Sequence, residues 1–307
     1  MDLRQLRYFV GIVEHGSIAR AADELHVAQS AISLHLNRLE KELGCSLVHR
    51  TPRGIVPTES GVRLASRARS VLTDIGTISE EVRGIEAEPS GSVIVGMPTS
   101  LGIALTVPLA ITIRRQYPLI RLRIAEGLSG HMSQWLLAGQ LDLALVFGSN
   151  IISGISKELL AREHLNLVGA EGAEAVSSCS EMPVSALFDL PLILPGRPHG
   201  LREEVERAAS RHGHRPNVVM EIDSLENIKS LVAERIGYTV LSARVAEHGS
   251  ISARLKCRPI AEPRIERSIY LARSSKTPRS MAASSVTMVL SSLFAQSNRS
   301  LTDDIGA

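Results

Sequence analysis

The sequence contains few cysteines, and none of them form a recognisable pair. Its 307 residues include only Cys45, Cys179 and Cys257, which lie far apart, and no CxxC motif occurs. Proteins stabilised by disulfides need a denser cysteine framework, so none is predicted here. A reducing cytoplasm is the expected environment.

Long apolar runs are also missing. The longest, from Leu101 to Ile113, is too short to span a membrane and contains Pro108. The N-terminal segment reads as a charged amphipathic helix without the apolar core of a signal peptide. We therefore expect neither a membrane segment nor export.

Motifs of enzyme active sites do not occur. The sequence contains no HExxH, GxSxG, Walker loop or GxGxxG. His199, His212 and His214 lack the spacing of zinc ligands, and the carboxylates are scattered over predicted helix surfaces. The sequence thus predicts no catalysis, no bound metal and no cofactor.

Basic residues are concentrated near the N-terminus, although the net charge is only +2. Between residues 38 and 69, three glutamates stand against seven cations, which are Arg38, Lys41, Arg50, Arg53, Arg63, Arg67 and Arg69. A solvated charged face would explain part of this excess. Its position beside the helix described next favours contact with phosphates.

Residues 17–43 predict two short helices joined by a tight turn. Ser17 is a good N-cap for the first helix. In the second, the 3.6-residue period predicts one buried stripe, formed by Ala28, Ile32, Leu36, Leu39 and Leu43. The opposite arc suits a B-DNA major groove because its side chains are small, polar or cationic. The predicted DNA contacts are Gln29, Ser30, Ser33, Leu34, Asn37, Arg38 and, beyond this helix, Arg50 and Arg53. A helical hairpin with a merely solvated polar face is the alternative.

A predicted wing follows these helices. Leu3–Glu14 forms a preceding helix, and residues 46–56 form a small hairpin around Thr51-Pro52-Arg53-Gly54. Arg50 and Arg53 are placed to hold phosphates or to enter the minor groove. Residues 1–58 therefore predict a winged helix-turn-helix.

A long helix with a heptad seam is predicted next, capped by Thr58 and reaching about Glu86. Apolar residues repeat at alternating spacings of four and three. They are Leu64, Ala68, Val71, Ile75, Ile78, Val82 and Ile85. Packing on its own domain would give a broader stripe, so residues 59–89 are predicted to dimerise. Two copies would present two recognition helices to a roughly palindromic site.

Beyond a hinge rich in proline, glycine and serine, strands and helices alternate. This pattern predicts an α/β region with mainly parallel sheets. The predicted strands are 92–97, 120–126, 141–147, 165–169, 192–194, 218–222, 238–241 and 269–272, and the helices are 101–117, 130–138, 201–212, 225–235 and 280–296.

The N-terminal sixty residues resemble the DNA-binding domain of LysR-type transcriptional regulators. The shared features are the leading LRYF, the S…AA..L block, the Q…S…LE..LG pattern, the L..R wing and the closing T…G. Three positions depart from the family. Ala28 replaces a usual serine cap, Ser30 stands where proline is frequent, and Leu34 occupies a usually polar position that could touch a thymine methyl.

The rest of the chain resembles the LysR-type effector domain through QYP, GQLDLAL and ERIGYTVL. The resemblance implies two α/β lobes with a cleft, as in periplasmic binding proteins, within residues 90–307. Lobe one would comprise 90–163 and 268–307, and lobe two 164–267. Details such as HVAQSAIS are nearest to the nitrogen-assimilation-control branch. Some family members sense oxidants through a cysteine pair, but Cys179 and Cys257 do not show the close spacing of such a pair.

Candidate effector contacts lie at strand ends, where α/β folds bind ligands. Thr99 and Ser100 stand at a helix start and would seat a carboxylate or phosphate, although capping is expected to use at least one of them. The resemblance places these residues in the cleft, with Ser129 and Phe147 at corresponding lips. Arg197 and His199 could pair with an anion across the cleft, or lie in a surface loop.

Together these features predict a bacterial regulator in the cytoplasm. It would bind double-stranded promoter DNA and a small-molecule effector, assemble as a homodimer or homotetramer, and contact RNA polymerase. The alternatives are a regulator without effector response and a solute-binding protein fused to a helical interaction domain.

Overall fold

The computed structural model describes residues 1–52, 54–83, 88–127, 129–148, 151–178, 180–197, 199–275 and 279–303. Predictions made for Arg53, Ile85 and Cys179 lie outside the described residues. The same holds for the side chains of Val82 and Ser129.

The N-terminal part is the predicted winged helix-turn-helix, followed by a long helix. Its elements are α1 (Leu3–His15), α2 (Ile18–Glu24), α3 (Gln29–Leu43), β1 (Val48–Thr51), β2 (Gly54–Pro57) and α4 (Glu59–Arg83). Asp2 begins α1 with a capping box, and the Ser17 hydroxyl accepts from the first turn of α2. Thr58 Oγ1 accepts from Gly61 N at 3.0 Å where α4 begins. Local side chains therefore set three of the four helix starts.

The core of this domain confirms the middle of the predicted α3 stripe. Ile32, Leu36 and Leu39 are buried against α1 and α2. The predicted burial of Ala28 and Leu43 is wrong, since both are exposed. Ala28 has extended backbone and precedes the helix, so the helical period does not apply to it. Leu43 is the last residue of α3 and extends beyond the core contacts.

The C-terminal region consists of two lobes joined by two long strands. Lobe one begins with β3 (Gly91–Met97), α5 (Thr99–Gln116), β4 (Ile120–Glu126), α6 (Ser129–Leu137) and β5 (Leu143–Phe147). The chain leaves it through β6 (Ile155–Ala170). Lobe two contains α7 (Glu174–Ser177), β7 (Met182–Pro183), α8 (Val184–Leu187), β8 (Leu192–Leu194), α9 (Gly200–Arg211), β9 (Val218–Glu221), α10 (Leu225–Ala233), β10 (Thr239–Ser242), α11 (Ala243–Ala246), a 3-10 turn (Ser252–Arg254) and β11 (Leu255–Ala261). The chain returns to lobe one through β12 (Glu266–Ser274) and α12 (Met281–Asp303).

The sheets are mixed, so the prediction of mainly parallel sheets is wrong. Strand β3 pairs in parallel with β4 and β5, as right-handed crossovers require. However, β12 is antiparallel to both β5 and β6, and β6 is antiparallel to β10 and β11. The reason is that β6 and β12 carry the chain between the lobes in opposite directions.

The largest differences between predicted and observed strands concern β6 and β11. The predicted strand 165–169 is only the end of the 16-residue β6, and β11 was not predicted. The first half of β6 carries charged residues such as Lys157 and Glu158, and β11 contains Lys256 and Arg258. These strands lack the continuous apolar runs that identified the other ones.

Each lobe has its own apolar core. Val95, Leu109 and Val286 represent that of lobe one, while Leu167 and Ile228 represent that of lobe two. No helix within the described ranges has the length and apolar character to cross a membrane.

Candidate nucleic-acid interface and ligand cleft

The outward face of α3 is exposed and polar. Gln29, Ser30, Asn37 and Arg38 are exposed, and Ser33 is half-buried. In the part of the chain that the structure describes, the side chains of Asn37 and Arg38 have no polar partner. Both can therefore reach a ligand without breaking an internal contact.

Leu34 also lies on this face, with 49% of its surface exposed. It is an apolar residue among polar ones, and its exposed surface is available to whatever binds to α3.

The first turn of α3 lacks a side-chain cap. Ala28 occupies the N-cap position and accepts no hydrogen bond through its side chain. The first backbone N–H groups of a helix need an acceptor, and the oxygen of a phosphate can serve as one. The departure from serine at residue 28 therefore leaves the start of α3 open to an external anion.

The basic excess near α3 is only partly neutralised by the chain itself. Arg63 pairs with Glu59 at 3.0 Å, and Arg69 pairs with Glu14 at 2.9 Å. Arg50 projects from β1 and is exposed. Among the described residues, no carboxylate pairs with Arg38, Lys41, Arg50 or Arg67. The unpaired cations thus include two on α3 and one on the wing.

The two halves of α4 differ in what they contact. Leu64 is half-buried and packs against the N-terminal domain. Ala68 is 2% exposed and lies against Leu6 and Val10, so its own chain covers it. Val71 and Ile78 are exposed, by 40% and 57% respectively. Ile75 is half-buried. The uncovered apolar positions of the predicted seam therefore begin at Val71.

The start of α5 contains two of the residues predicted to hold the effector. Pro98 is the N-cap residue and no side chain caps the helix, so the expectation that Thr99 or Ser100 would cap it is wrong. Thr99 is exposed, and Ser100 is only 6% exposed. The Ser100 hydroxyl contacts an arginine that the sequence analysis did not single out.

That residue, Arg267, stands where the lobes join. It lies on β12 directly opposite Glu163 of β6, and its Nε donates to the Glu163 carboxylate. Its Nη2 donates to Ser100 Oγ at 3.4 Å, and its guanidinium lies 3.9 Å from the centre of the Phe147 ring. Arg267 is 3% exposed. The sequence offered no distinctive signal for Arg267, because β12 also contains the charged residues Glu266 and Arg273.

His199 faces this cluster from lobe two. It is the N-cap of α9, and its Nδ1 accepts from Leu201 N at 3.2 Å. Burial, and then the positive charge of Arg267, hold the pKa of His199 below its ordinary value. The ring is therefore neutral near pH 7, and its proton resides on Nε2 because Nδ1 is an acceptor.

Arg197 does not join the cluster. Its guanidinium is 2.6 Å from Glu206, and the arginine side chain is 70% exposed. The Glu206 carboxylate holds the pKa of Arg197 above its ordinary value. Ser129 is the first residue of α6. The structure thus brings Ser100, Phe147 and His199 together around Arg267, while Arg197 is held on the surface of lobe two.

Neither a metal site nor a reactive thiol emerges from the described residues. No cluster of three or more histidine, cysteine or carboxylate side chains suited to a metal occurs among them. Burial raises the pKa of Cys257 to about 11, so this thiol is protonated at neutral pH. Cys45 is exposed and unbridged.

Comparison with known protein families assigns both parts of the chain. Residues 3–62 match the family described as bacterial regulatory helix-turn-helix protein, lysR family. Residues 86–293 match the LysR substrate binding domain.

Similar proteins cover nearly the full length. The chain is 32% identical to the nitrogen assimilation regulatory protein nac of Klebsiella aerogenes, over 98% of this chain and 99% of that protein. It is 31% identical to the protein of the same name in Escherichia coli, over 94% of each. Among solved structures, a full-length OxyR variant from Pseudomonas aeruginosa has a TM-score of 0.79 at 24% identity, covering 96% of this chain and 94% of that one. Full-length CbnR in complex with its target DNA has a TM-score of 0.64 at 20% identity, covering 94% and 98%.

Proposed function

The chain belongs to the LysR family and is a DNA-binding transcriptional regulator, not an enzyme, and we propose that it binds promoter DNA through α3 and the wing and responds to a small molecule in its cleft. The exposed polar face of α3, beside unpaired cations, carries the DNA part of the proposal. The ligand part is supported by two groups near Arg267, since Ser100 of lobe one contacts it and the charge of Arg267 acts on His199 of lobe two.

The chemistry of α3 and the wing suggests that they contact different parts of the DNA. Ser30 and Ser33 are small, which lets the helix approach the floor of the major groove. Asn37 and Arg38 can donate to base edges, whereas Arg50 on the wing is placed for phosphates. The following two variants separate these roles.

Replacing Arg50 by alanine is expected to weaken binding to every DNA sequence. The lost contact is electrostatic, so the slope of log affinity against log salt concentration should fall by about 1. Fluorescence anisotropy titrations at several salt concentrations measure this. Arg211→Ala, an exposed cation of lobe two, is the control and should leave the slope unchanged. A loss confined to one DNA sequence would contradict the phosphate role.

Replacing Asn37 by alanine is expected to lower discrimination at particular base pairs, by about 1–3 kcal/mol for a bidentate contact. Selection of bound sequences from a random duplex pool, followed by sequencing, compares the preferences of the two proteins. Equal weakening on every sequence would contradict base reading. The same selection tests the proposed function itself, because a chain that enriches no sequence is not a specific DNA-binding protein.

We propose that α4 mediates a homodimer that assembles further into a homotetramer. Val71 and Ile78 are seven residues apart and exposed, and burial against a second α4 would remove them from water. Two copies would present two α3 helices to one palindromic operator. Sedimentation velocity decides this, since a monomer at micromolar concentration would exclude the arrangement.

The proposed effector is a small molecule with a carboxylate or phosphate. Ser100 Oγ, the Nε2–H group of His199 and the guanidinium of Arg267 are the donors that would hold it. One observation favours the second candidate, a regulator without effector response, because Glu163 already neutralises Arg267. Titration calorimetry against a panel of small carboxylates and phosphates distinguishes the two candidates. If no compound binds, the regulator without effector response is the remaining one.

A protein that acts on promoter DNA is expected to be located in the bacterial cytoplasm and to have RNA polymerase as a partner. We include both in the proposal. The names of the two relatives make nitrogen-responsive promoters the first DNA to test.

A further inference from the structure

A second group of cations lies away from α3 and from the cleft, where α4 meets lobe one. An open crevice separates α4 from lobe one at this place. Its polar lining comes from α4, from the residue before β5, from the end of β12 and from the residues just before α12, and includes Arg69, Ser70, Thr73, Asp142, Arg273 and Arg279. We call this space the linker crevice.

Positive charge dominates the linker crevice. Arg69 is paired with Glu14, but within the described ranges no carboxylate forms an ion pair with Arg273 or Arg279. Arg273 is half-buried and Arg279 is exposed. Two guanidinium groups from one lobe therefore face the same space with their donors available.

One carboxyl group in the lining offsets only part of the charge of the two arginines. Asp142 is the one acidic residue among the lining side chains, and its Oδ2 accepts from the backbone N–H of Ile94 at 2.7 Å. Burial raises the pKa of Asp142 above its ordinary value, more than the Ile94 hydrogen bond and the Arg69 charge lower it. The crevice thus keeps an excess of positive charge.

The start of α12 adds to this field. The Ser280 hydroxyl accepts from Ala283 N at 3.1 Å, and both residues line the linker crevice. The positive end of the dipole of this long helix consequently lies beside Arg273 and Arg279.

We propose that the linker crevice binds a compact anion with at least two negative charges, of the phosphate or polycarboxylate type. The anion bridges Arg273 and Arg279 of lobe one to the polar side chains of α4. It fastens the helix that carries the DNA-binding domain to the domain that holds the cleft. The consequence for DNA binding rests on the function proposed above, whereas anion binding does not.

Calorimetry on the full chain at low ionic strength, without DNA, tests the site. Inorganic pyrophosphate and citrate are the two probes. We expect saturable binding of one anion per chain, weakened about 100-fold in R273Q/R279Q, because two charge-assisted hydrogen-bonding groups are lost at about tenfold each. The stronger probe identifies phosphate or carboxylate as the preferred chemistry.

The control variant is R211Q/R215Q, which removes two exposed arginines of lobe two and changes the net charge equally. It should bind like the unmodified chain. Equal weakening in both double variants, or no saturable binding of either probe, would overturn the site. A changed sedimentation coefficient of R273Q/R279Q, without anion binding by the unmodified chain, would identify the crevice as a contact between copies and also overturn it.

The coupling is measured by titrating DNA with and without pyrophosphate at matched ionic strength. We expect the DNA affinity of the unmodified chain to change about fivefold or more, and that of R273Q/R279Q to stay constant. An unchanged affinity despite calorimetric binding would overturn the fastening of α4. Absence of DNA binding altogether would refute the proposed function and leave the anion site to calorimetry.

Discussion

Replacement of Gly61 by alanine is expected to destabilise the winged helix-turn-helix and abolish DNA binding. A Cβ atom on Gly61 would lie 2.0 Å from the carbonyl oxygen of Leu47, far inside any allowed contact, and 3.3 Å from Pro57 Cβ. Here α4 passes directly over the start of the wing. Only a residue without a side chain permits this approach.

The clash cannot be relieved cheaply. The Leu47 carbonyl accepts from Thr58 N at 2.9 Å, and the Leu47 side chain is 1% exposed within the domain core. Moving α4 would also break the hydrogen bond that Thr58 Oγ1 donates to Ser46 O at 2.9 Å. Overpacking of cores costs about 1–3 kcal/mol, and a collision with backbone belongs at or above the upper end.

Thermal unfolding followed by circular dichroism, together with DNA titration, measures the effect. The matched control is Gly76→Ala in the same helix, where an added Cβ meets nothing within 4 Å. Alanine at an exposed helical position should stabilise by up to about 1 kcal/mol. If both variants unfold at the same temperature, the close approach of α4 to the wing is wrong.

Replacement of Arg267 by methionine is expected to lower the free energy of unfolding by about 3–5 kcal/mol, because it leaves the carboxylate of Glu163 buried without a partner. The side chains of both residues are at most 12% exposed. The variant also loses the contacts with Ser100 and the Phe147 ring. Chemical denaturation measures the loss.

The neighbouring pair on the same two strands is the control. Arg162 and Glu266 are 3.5 Å apart, with side chains 62% and 37% exposed. Arg162→Met should cost about 0–1 kcal/mol, as for solvated ion pairs. Adding Glu163→Met to Arg267→Met should recover much of the stability, since an apolar pair replaces a lone charge.

The deficit of Arg267→Met should also depend on pH. An unpaired buried carboxylate has its pKa raised above the unfolded value, which destabilises the protein at high pH. The deficit is therefore expected to shrink at acidic pH, where protonation removes the charge of the lone carboxylate. A deficit independent of pH would show that lost packing, and not the isolated charge, is its cause.

Local sequence patterns predicted the DNA-binding domain well, because its helices and turns depend on interactions between residues that are close in sequence. Helix caps at Ser17 and Thr58 act within three residues, and the apolar period of α3 follows from one helix packing on its neighbours. The errors at Ala28 and Leu43 occurred at the ends of α3, where the period no longer describes the backbone or the core is out of reach. Ala68 differs from Val71 in exposure only because α1 covers it.

Predictions for the cleft were less complete, since its parts come from distant segments. Ser100 and Phe147 were placed by the rule that ligands bind at the ends of strands. Glu163 and Arg267 were missed because they are 104 residues apart and meet only through the pairing of β6 with β12. Arg197 has a suitable charge, but it forms an ion pair with Glu206 on the surface of lobe two.

By itself, the order of residues determined the family, the winged helix-turn-helix and the alternation of strands and helices, because each depends on side chains within a few turns of one another. Tertiary structure alone decided the directions of the strands, the burial of Arg267 between the lobes and the gathering of arginines beside α4. These features depend on which distant segments become neighbours, and spacing along the chain carries no record of that choice.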